Sequence, residues 1–263
     1  METSRFTRDN ANLKLQAKPW KPVTADLSVR YSKTNIYGGG ANDATGSYDS
    51  DKRLKYSVIY TPIPLSNLDP NAGSDDDDLG NLYNPIEALY DNYREQERHT
   101  LNLGAALTIE PIKNLKVKTE VGYETYRNFD QRFWGTTCYY VKNVPASENQ
   151  DMPAIQFQTK ERTRQRNTNT ISYDFKKLLP EPNHLSVMVG EEYVYTKSAT
   201  KTQVVHGFPV TFDAQTAWKL STQGVAYSTE NYINPNDYIL SFFGRANYDY
   251  DSKYLLSAYI YGF

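Results

Sequence analysis

Strict alternation of apolar and polar residues, in pairs of segments joined by short turns, constrains this chain most. In residues 99–111 the apolar side chains from Leu101 to Ile109 share one face, and polar or small residues take the other. Residues 114–129 repeat the pattern with valines against lysines and glutamates, and only the turn 110–114 separates the two runs. A period of two residues is that of a β-strand between two different environments. The two runs therefore predict a β-hairpin.

The same hairpin unit recurs along the chain. The other three pairs of runs are 11–17 with 24–32, 168–175 with 184–195, and 240–250 with 253–261. Together they predict eight strands in four hairpins. Several runs have ten or more residues, close to the roughly 9–11 that a tilted strand needs to cross a bilayer.

The connections between hairpins are much longer than the turns within them. They cover residues 34–96, 135–154 and roughly 206–235. Short turns at one end and long loops at the other are typical of outer-membrane barrels, with the turns periplasmic and the loops extracellular. The predicted fold is all-β: about eight antiparallel transmembrane strands in four periplasmic hairpins, forming a partial barrel with long extracellular loops.

Two segments within the first long connection need separate interpretation. Residues 53–61 alternate like a ninth strand, but one extra crossing would invert the sides of every later turn and loop. Residues 52–62 are therefore expected inside an extracellular excursion, as a short helix or a non-spanning strand. Residues 84–96 have helical spacing, which predicts a short helix before the next strand.

Composition agrees with a wall between lipid and water. Hydrophobic residues make up only 39% of the chain, yet there are 23 tyrosines and 10 phenylalanines. A barrel in lipid places tyrosines in girdles at the membrane interfaces and keeps its lumen polar. The net charge of −2 gives no overall electrostatic attraction to nucleic acid, and Cys138, the single cysteine, excludes an intramolecular disulfide.

Four segments resemble the SusC/RagA family of TonB-dependent outer-membrane transporters. They are residues 5–34, 84–124, 184–198 and 239–258. The last, ILSFFGRANYDYDSKYLLSA, is similar to a recurrent stretch of that family and is the most specific of the four. In that family the segment matching 53–67 is extracellular, which agrees with the assignment made above.

The resemblance implies a protein of the cell outer membrane, in contact with membrane lipid, that imports glycan fragments or oligopeptides. It implies a barrel of about 22 strands, plugged at rest, capped by a SusD-like surface lipoprotein and opened by the TonB complex. The chain departs from the family pattern because it has no plug domain or TonB-contacting segment and only about eight strands. We therefore expect residues 1–263 to be an internal section of one barrel domain, without plug or signal peptide.

Aromatic residues in the long loops are the best candidates for substrate contact, because sugar rings stack on flat apolar faces. Packing between loops, or against the lipoprotein, explains them equally well. The candidates are Trp134, Tyr139, Tyr140, Phe208, Phe212, Trp218 and Tyr232.

Charged candidates are weaker. A calcium site could use the acidic loop residues, although their spacing is not that of a calcium-binding loop and a solvated loop is the simpler interpretation. These residues are Asp69, Asn71, Asp75, Asp76, Asp77 and Asp78. Alternation sends Arg162, Arg164 and Arg166 to one strand face, where they line the lumen or project beyond the membrane. No catalytic residue and no cofactor is predicted.

Two other functions remain open from the residues alone. Alternation does not distinguish lipid from a packed core, so a secreted, non-catalytic β-rich carbohydrate-binding module is the main alternative. An independent eight-stranded barrel is a further one, since eight strands can close around their own side chains.

Overall fold

A computed structural model describes residues 4–38, 90–143, 147–175 and 178–262. Its strands are β1 (Arg5–Trp20), β2 (Val23–Tyr37), β3 (Asn92–Ile112), β4 (Leu115–Trp134), β5 (Ala154–Asp174), β6 (Asn183–His206), β7 (Val225–Ile233), β8 (Asp237–Tyr250) and β9 (Tyr254–Gly262). Within the described ranges from residue 92 onward, two short helices, α1 (Tyr139–Asn143) and α2 (Ala214–Lys219), lie in the connections, with 3₁₀ turns at Ser147–Asn149 and Ser221–Gln223. All nine strands belong to one sheet, in the order β1-β2-β3-β4-β5-β6-β8-β9, with β7 also paired to β6. The predicted all-β antiparallel architecture is confirmed.

β7 and β8 are two parts of one crossing. Ile233 at the end of β7 pairs with Ala199, and Asp237 at the start of β8 pairs with Thr196, so both strands follow β6 in the same direction. Three residues of the β7–β8 link face two of β6, which is a β-bulge. Pro235 lies in this link, where its missing N–H costs no ladder bond. The eight predicted crossings are therefore present, but the expected loop at 206–235 contains the strand β7.

The short connections have the geometry of tight turns. Asp251 and Ser252 both have positive φ, and the Lys253 N–H donates to the Tyr250 carbonyl at 2.9 Å. Positive φ at both central residues is that of a type I′ hairpin turn, which matches the twist of the flanking strands. The long connections lie at the opposite end of the sheet. The predicted asymmetry between turns and loops is thus present.

The register of the strands gives the sheet two different faces, one apolar and one polar. β4 and β5 pair from Leu115↔Tyr173 to Trp134↔Ala154 without a shift. Side chains of directly paired residues point to the same face, so one apolar row runs across several strands. The apolar face, here called the outer face, is exposed to the surroundings: Leu13 is 60% exposed and Val121 52%. Such an apolar, uncovered face is that of a wall in lipid.

Aromatic residues border this band on both sides. Tyr195 and Tyr238 pair on the outer face toward the loop end, with ring centroids 5.1 Å apart. Tyr173 lies on the outer face near the turn end of β5, directly opposite Leu115. Rings with polar tips at both borders of an apolar band are the interfacial girdles of a transmembrane barrel.

A polar patch interrupts the outer face between β5 and β6. The Asn169 side-chain amide donates to Asn167 at 2.8 Å and to Glu191 at 3.1 Å. Mutual hydrogen bonding lowers the cost of placing these groups between the two girdles, where lipid offers no partner.

The helix predicted for residues 84–96 is wrong over its described C-terminal part. Of the described residues in this range, only Tyr90 and Asp91 are helical, and β3 begins at Asn92. From there the chain pairs with the end of β4, and this ladder, together with the burial of Arg94 and Gln96, outweighs the local helical spacing. Residues 84–89 and the excursion at 52–62 lie outside the described residues.

Candidate functional site

The lumen face of the sheet carries a polar groove. It has a volume of about 1060 Å³ and lies across β1 to β5. At its centre Gly104 pairs directly with Gly122, so bare backbone forms the floor between Ser28 on one side and Arg166 on the other. We call this feature the lumen groove. Its charged lining residues are Arg8, Lys14, Arg30, Glu120, Glu124, Arg164 and Arg166.

The arginine row of β5 faces this groove. Arg166 forms an ion pair with Glu120 at 2.7 Å, and Arg162 forms one with Glu124 at 2.6 Å. Both glutamates lie on β4, on the face opposite Val117 and Val121. Of the two positions considered for this row, lining the lumen is the one observed.

Above the groove, toward the loop end, a buried charge cluster lies on the same face. The Arg94 guanidinium donates to Asp130 through Nε at 2.9 Å, and the Gln96 amide donates to the same carboxylate at 2.7 Å. Arg98 in turn donates to Gln96 at 2.7 Å. Arg94 and Asp130 are both almost fully buried. We call these four residues the Asp130 cluster.

The β6–β7 connection packs on the outer face at the loop end. Phe133, Ile155 and Val205 form one row there by register, and Phe208 and Trp218 complete a buried apolar cluster with them. We call this the α2 cluster. It covers sheet surface that lies beyond the extracellular girdle, so it is the loop connections that supply the packed core of the described chain.

Helix α2 is held by its cap and by its tryptophan. The Thr216 N–H donates to the Asp213 carboxylate at 2.8 Å, and the hydrogen bonds from Thr216 hold the pKa of Asp213 below its ordinary value. The Trp218 indole N–H donates to the Arg132 carbonyl at 3.1 Å. α2 thus docks on β4 through one side chain that both packs and hydrogen-bonds.

The β4–β5 connection packs on the lumen face. Trp134, Cys138, Val141 and Ala154 form a second buried cluster, and Tyr140 stacks on Trp134 with ring centroids 4.1 Å apart. We call this the α1 cluster, since it includes residues of α1. The α1 cluster covers the lumen face of the sheet at the loop end.

His206 joins the α1 cluster to β7. It is the last residue of β6 and is fully buried, about 11 residues beyond the girdle residue Tyr195. Its Nε2 lies 3.0 Å from the Tyr140 hydroxyl, and its ring stacks on Tyr227 at 4.0 Å. Among the described residues Nδ1 has no hydrogen-bond partner. Burial lowers the pKa of His206 to about 4, so the ring is neutral at pH 7.

This histidine predicts a pH-sensitive loop end. In the unfolded loop, the His206 imidazole takes up a proton near its ordinary pKa of about 6.5. In the folded loop, the same ring stays neutral down to about pH 4. The stabilisation from the neutral ring is complete above about pH 6.5 and is lost as the pH falls toward 4. We expect amide exchange in residues 137–143 and 204–208, corrected for intrinsic rates, to accelerate between pH 7 and pH 5. His206→Gln keeps a partner for Tyr140 without titrating, so persistence of the full pH effect in this variant would contradict the prediction.

The predicted substrate-contact aromatics fall into three places. Trp134 and Tyr140 meet in the α1 cluster, whereas Phe208, Phe212 and Trp218 meet in the α2 cluster. Tyr232 lies apart on β7, opposite Thr200 on the lumen face, and is 62% exposed. The side chain of Tyr139 and all six predicted calcium ligands lie outside what the structure describes.

Burial separates these candidates by role. Trp134, Phe208 and Trp218 are buried, which favours loop packing, while the exposed Tyr232 is open to a ligand. Their contact with substrate stays a prediction. The groove cations Lys14 and Arg30 and the Asp130 cluster were not singled out from the sequence. Alternation places Lys14 and Arg30 on the lumen face and was the signal available for them.

Two features are absent from the described residues. No helix there is long and apolar enough to cross a membrane. No group of three or more histidine, cysteine, aspartate or glutamate side chains there is arranged to hold a metal ion.

Comparison with known proteins identifies the fold. No protein-family model matches the sequence, and no curated protein matches it either. Among solved structures, the RagAB peptide transporter superposes with a TM-score of 0.68 at 16% identity, covering 98% of this chain and 28% of that one. The chain has the fold of an outer-membrane barrel wall. The RagAB peptide importer in its open-open and closed-closed states gives TM-scores of 0.66 and 0.63, at 18% and 17% identity.

Coverage sets the scale of the match. The barrel wall described here spans less than a third of each of these chains, 28% to 29% of their length, while nearly all of it is matched. The chain therefore matches a part of each of these transporters and not their whole length.

Proposed function

We propose that this chain is a section of the wall of a TonB-dependent outer-membrane transporter that imports oligopeptides or glycan fragments. The observation that carries the proposal is the superposition on the RagAB peptide transporter over 98% of the chain. The sequence resemblance to the SusC/RagA family, found in residues 5–34, 84–124, 184–198 and 239–258, points the same way.

The surfaces of the sheet support transport over a soluble binding role. An apolar band between two tyrosine girdles faces outward, and a charged groove faces the lumen. A secreted carbohydrate-binding module would have to cover the apolar band with a second layer, and the packed clusters of the described chain lie only at its loop end. In the sheet formed by the described residues, the terminal strands β1 and β9 each have one unpaired edge, which other strands of a complete barrel would satisfy.

The proposed partners follow from this role. A SusD-like surface lipoprotein would cover the loop end, where the α1 and α2 clusters give the wall a shaped rim. The TonB complex would act on a plug outside these 263 residues, and membrane lipid would contact the outer face. No nucleic acid and no catalytic activity enters the proposal.

The proposal is tested on the full-length protein in cells. We expect it to partition into the outer-membrane fraction and to co-purify, in mild detergent, with a SusD-like lipoprotein. Uptake of labelled oligopeptides or oligosaccharides should depend both on the protein and on an active TonB system. A strain with inactive TonB is the matched control, because outer-membrane assembly of the protein is unchanged there. Recovery as a detergent-free soluble monomer that binds glycans would overturn the proposal and favour the secreted binding module.

A further inference from the structure

The lumen groove has an unbalanced charge. Its lining contains five cationic side chains and two carboxylates. Both carboxylates are already engaged: Glu120 pairs with Lys118 and Arg166, each at 2.7 Å, and Glu124 pairs with Arg162 at 2.6 Å. The groove therefore has no carboxylate left over for its other cations.

Arg8, Lys14, Arg30 and Arg164 are those remaining cations. Arg8 donates to the Asn10 and Ser32 side chains, each at 3.1 Å. Within the described ranges, none of the four forms an ion pair with a carboxylate. All four are exposed on the lumen face. Arg164 lies directly opposite Glu124 in the ladder, but Glu124 pairs diagonally with Arg162 instead. The two ion-paired arginines of β5 thus flank an arginine whose guanidinium is open to the groove.

The floor of the groove suits close approach of a ligand. Gly104 and Gly122 face each other across β3 and β4 and leave the backbone bare. A Cβ atom on Gly104 would lie 2.6 Å from the Ser28 hydroxyl oxygen, so a side chain could enter there only if Ser28 shifted. The open floor keeps a path free between Lys14 and Arg30 at one side and Arg164 at the other.

Uncompensated cations around a groove attract anions, and guanidinium groups match carboxylates in geometry. We infer that the lumen groove binds carboxylate groups of the transported substrate and makes the transporter selective for anionic oligomers. The carboxylates come either from acidic side chains of an oligopeptide or from uronic acids of an oligosaccharide. The inference rests on the proposed transport function and names the substrate class at this part of the wall.

The test compares acidic and neutral probes on the full-length transporter. The probes are a labelled glutamate-rich tetrapeptide, its glutamine counterpart, a tetragalacturonate and a neutral tetrasaccharide, measured for binding to purified protein in detergent and for uptake by cells. We expect the wild type to prefer an acidic probe over its neutral counterpart. The variant Arg30→Gln/Arg164→Gln should lower affinity for that acidic probe by roughly tenfold or more, since each lost bond to a charged group counts about that much. Whether the tetrapeptide or the tetragalacturonate responds identifies the source of the carboxylate.

Arg245→Gln is the matched control. Arg245 also lies on the lumen face, opposite Met188 on β6, but it is outside the groove lining and stacks over Tyr259. This change should leave the preference for acidic probes intact. Should the double variant fail to assemble, raising the salt from about 0.05 to 0.5 M on the wild type must weaken acidic binding selectively, because exposed charges are screened at that ionic strength.

Three results would overturn the inference: equal binding of acidic and neutral probes, an unchanged preference in the double variant, or the same loss in Arg245→Gln. Each leaves the proposed transport function standing as long as outer-membrane assembly and TonB-dependent uptake persist. Loss of outer-membrane localisation in the wild type would instead overturn the proposed function itself.

Discussion

Asp130→Asn is expected to destabilise the barrel wall by about 3–5 kcal/mol, because it removes the carboxylate charge from a buried ion pair with the Arg94 guanidinium. The wild-type carboxylate accepts hydrogen bonds from Arg94 and Gln96, and both Arg94 and Asp130 are nearly inaccessible to water. The asparagine keeps the shape of the side chain, so the effect isolates the charge. The measurement is the urea midpoint of the full-length barrel in lipid vesicles.

Two further variants make the expected result specific. Asp237→Asn makes the same chemical change at an exposed position of β8 and should leave the free energy of unfolding within about 0.5 kcal/mol of the wild-type value. Adding Arg94→Met to Asp130→Asn removes the guanidinium that was paired with Asp130 and should recover part of the loss, since neighbouring changes in one network are not additive. An Asp130→Asn midpoint equal to that of wild type would show that Asp130 is not the buried partner of Arg94.

Trp218→Ala is expected to release helix α2 from the sheet. The substitution removes a buried aromatic side chain, which costs about 3–5 kcal/mol in a packed core. It also removes the hydrogen bond from the indole N–H to the Arg132 carbonyl. A six-residue helix is too short to persist without tertiary contacts. The local opening should therefore increase the rate of trypsin cleavage after Lys219 by about a hundredfold or more.

Conservative variants separate packing from hydrogen bonding at this position. Trp218→Phe keeps a ring against Tyr93 but cannot donate to Arg132, so its cleavage rate should lie between those of wild type and Trp218→Ala. Leu220→Ala, next to the cleavage site and 44% exposed, should leave the rate close to that of wild type. A Trp218→Ala wall that resists trypsin as the wild type does would mean that α2 is held by other contacts.

The α1 and α2 clusters shape the surface at the loop end, where a partner protein would bind. The α2 cluster covers the outer face beyond the girdle, and the α1 cluster covers the lumen face at the same height. β4 therefore ends between two packed connections, with Phe133 in one and Trp134 in the other. An ordered rim of this kind offers a surface of definite shape to a lipoprotein cap, in keeping with the proposed function.

The strands, and the face of the sheet to which each side chain points, could be predicted from the sequence, because a period of two residues is a local property. It was enough to predict the eight crossings, the turn at Asp251 and Ser252, and that Arg162, Arg164 and Arg166 share one strand face. The helical spacing at 84–96 gave a wrong prediction from Asn92 onward, because pairing with β4 there outweighs the local preference for a helix.

Tertiary structure alone decided which side chains meet. Glu120 pairs diagonally with Arg166, 46 residues away, and Trp218 reaches Arg132 across 86 residues. Such contacts depend on register between strands and on how loops fold back, neither of which has a local signature. The same holds for the aromatic candidates: their residue type suggested ligand contact, but only the packing of the connections showed that Trp134, Phe208 and Trp218 are buried and Tyr232 is exposed. Alternation in the sequence thus determined the strands of the wall and its two faces. Long-range pairing between strands decided which cations of the lumen groove lack a carboxylate partner.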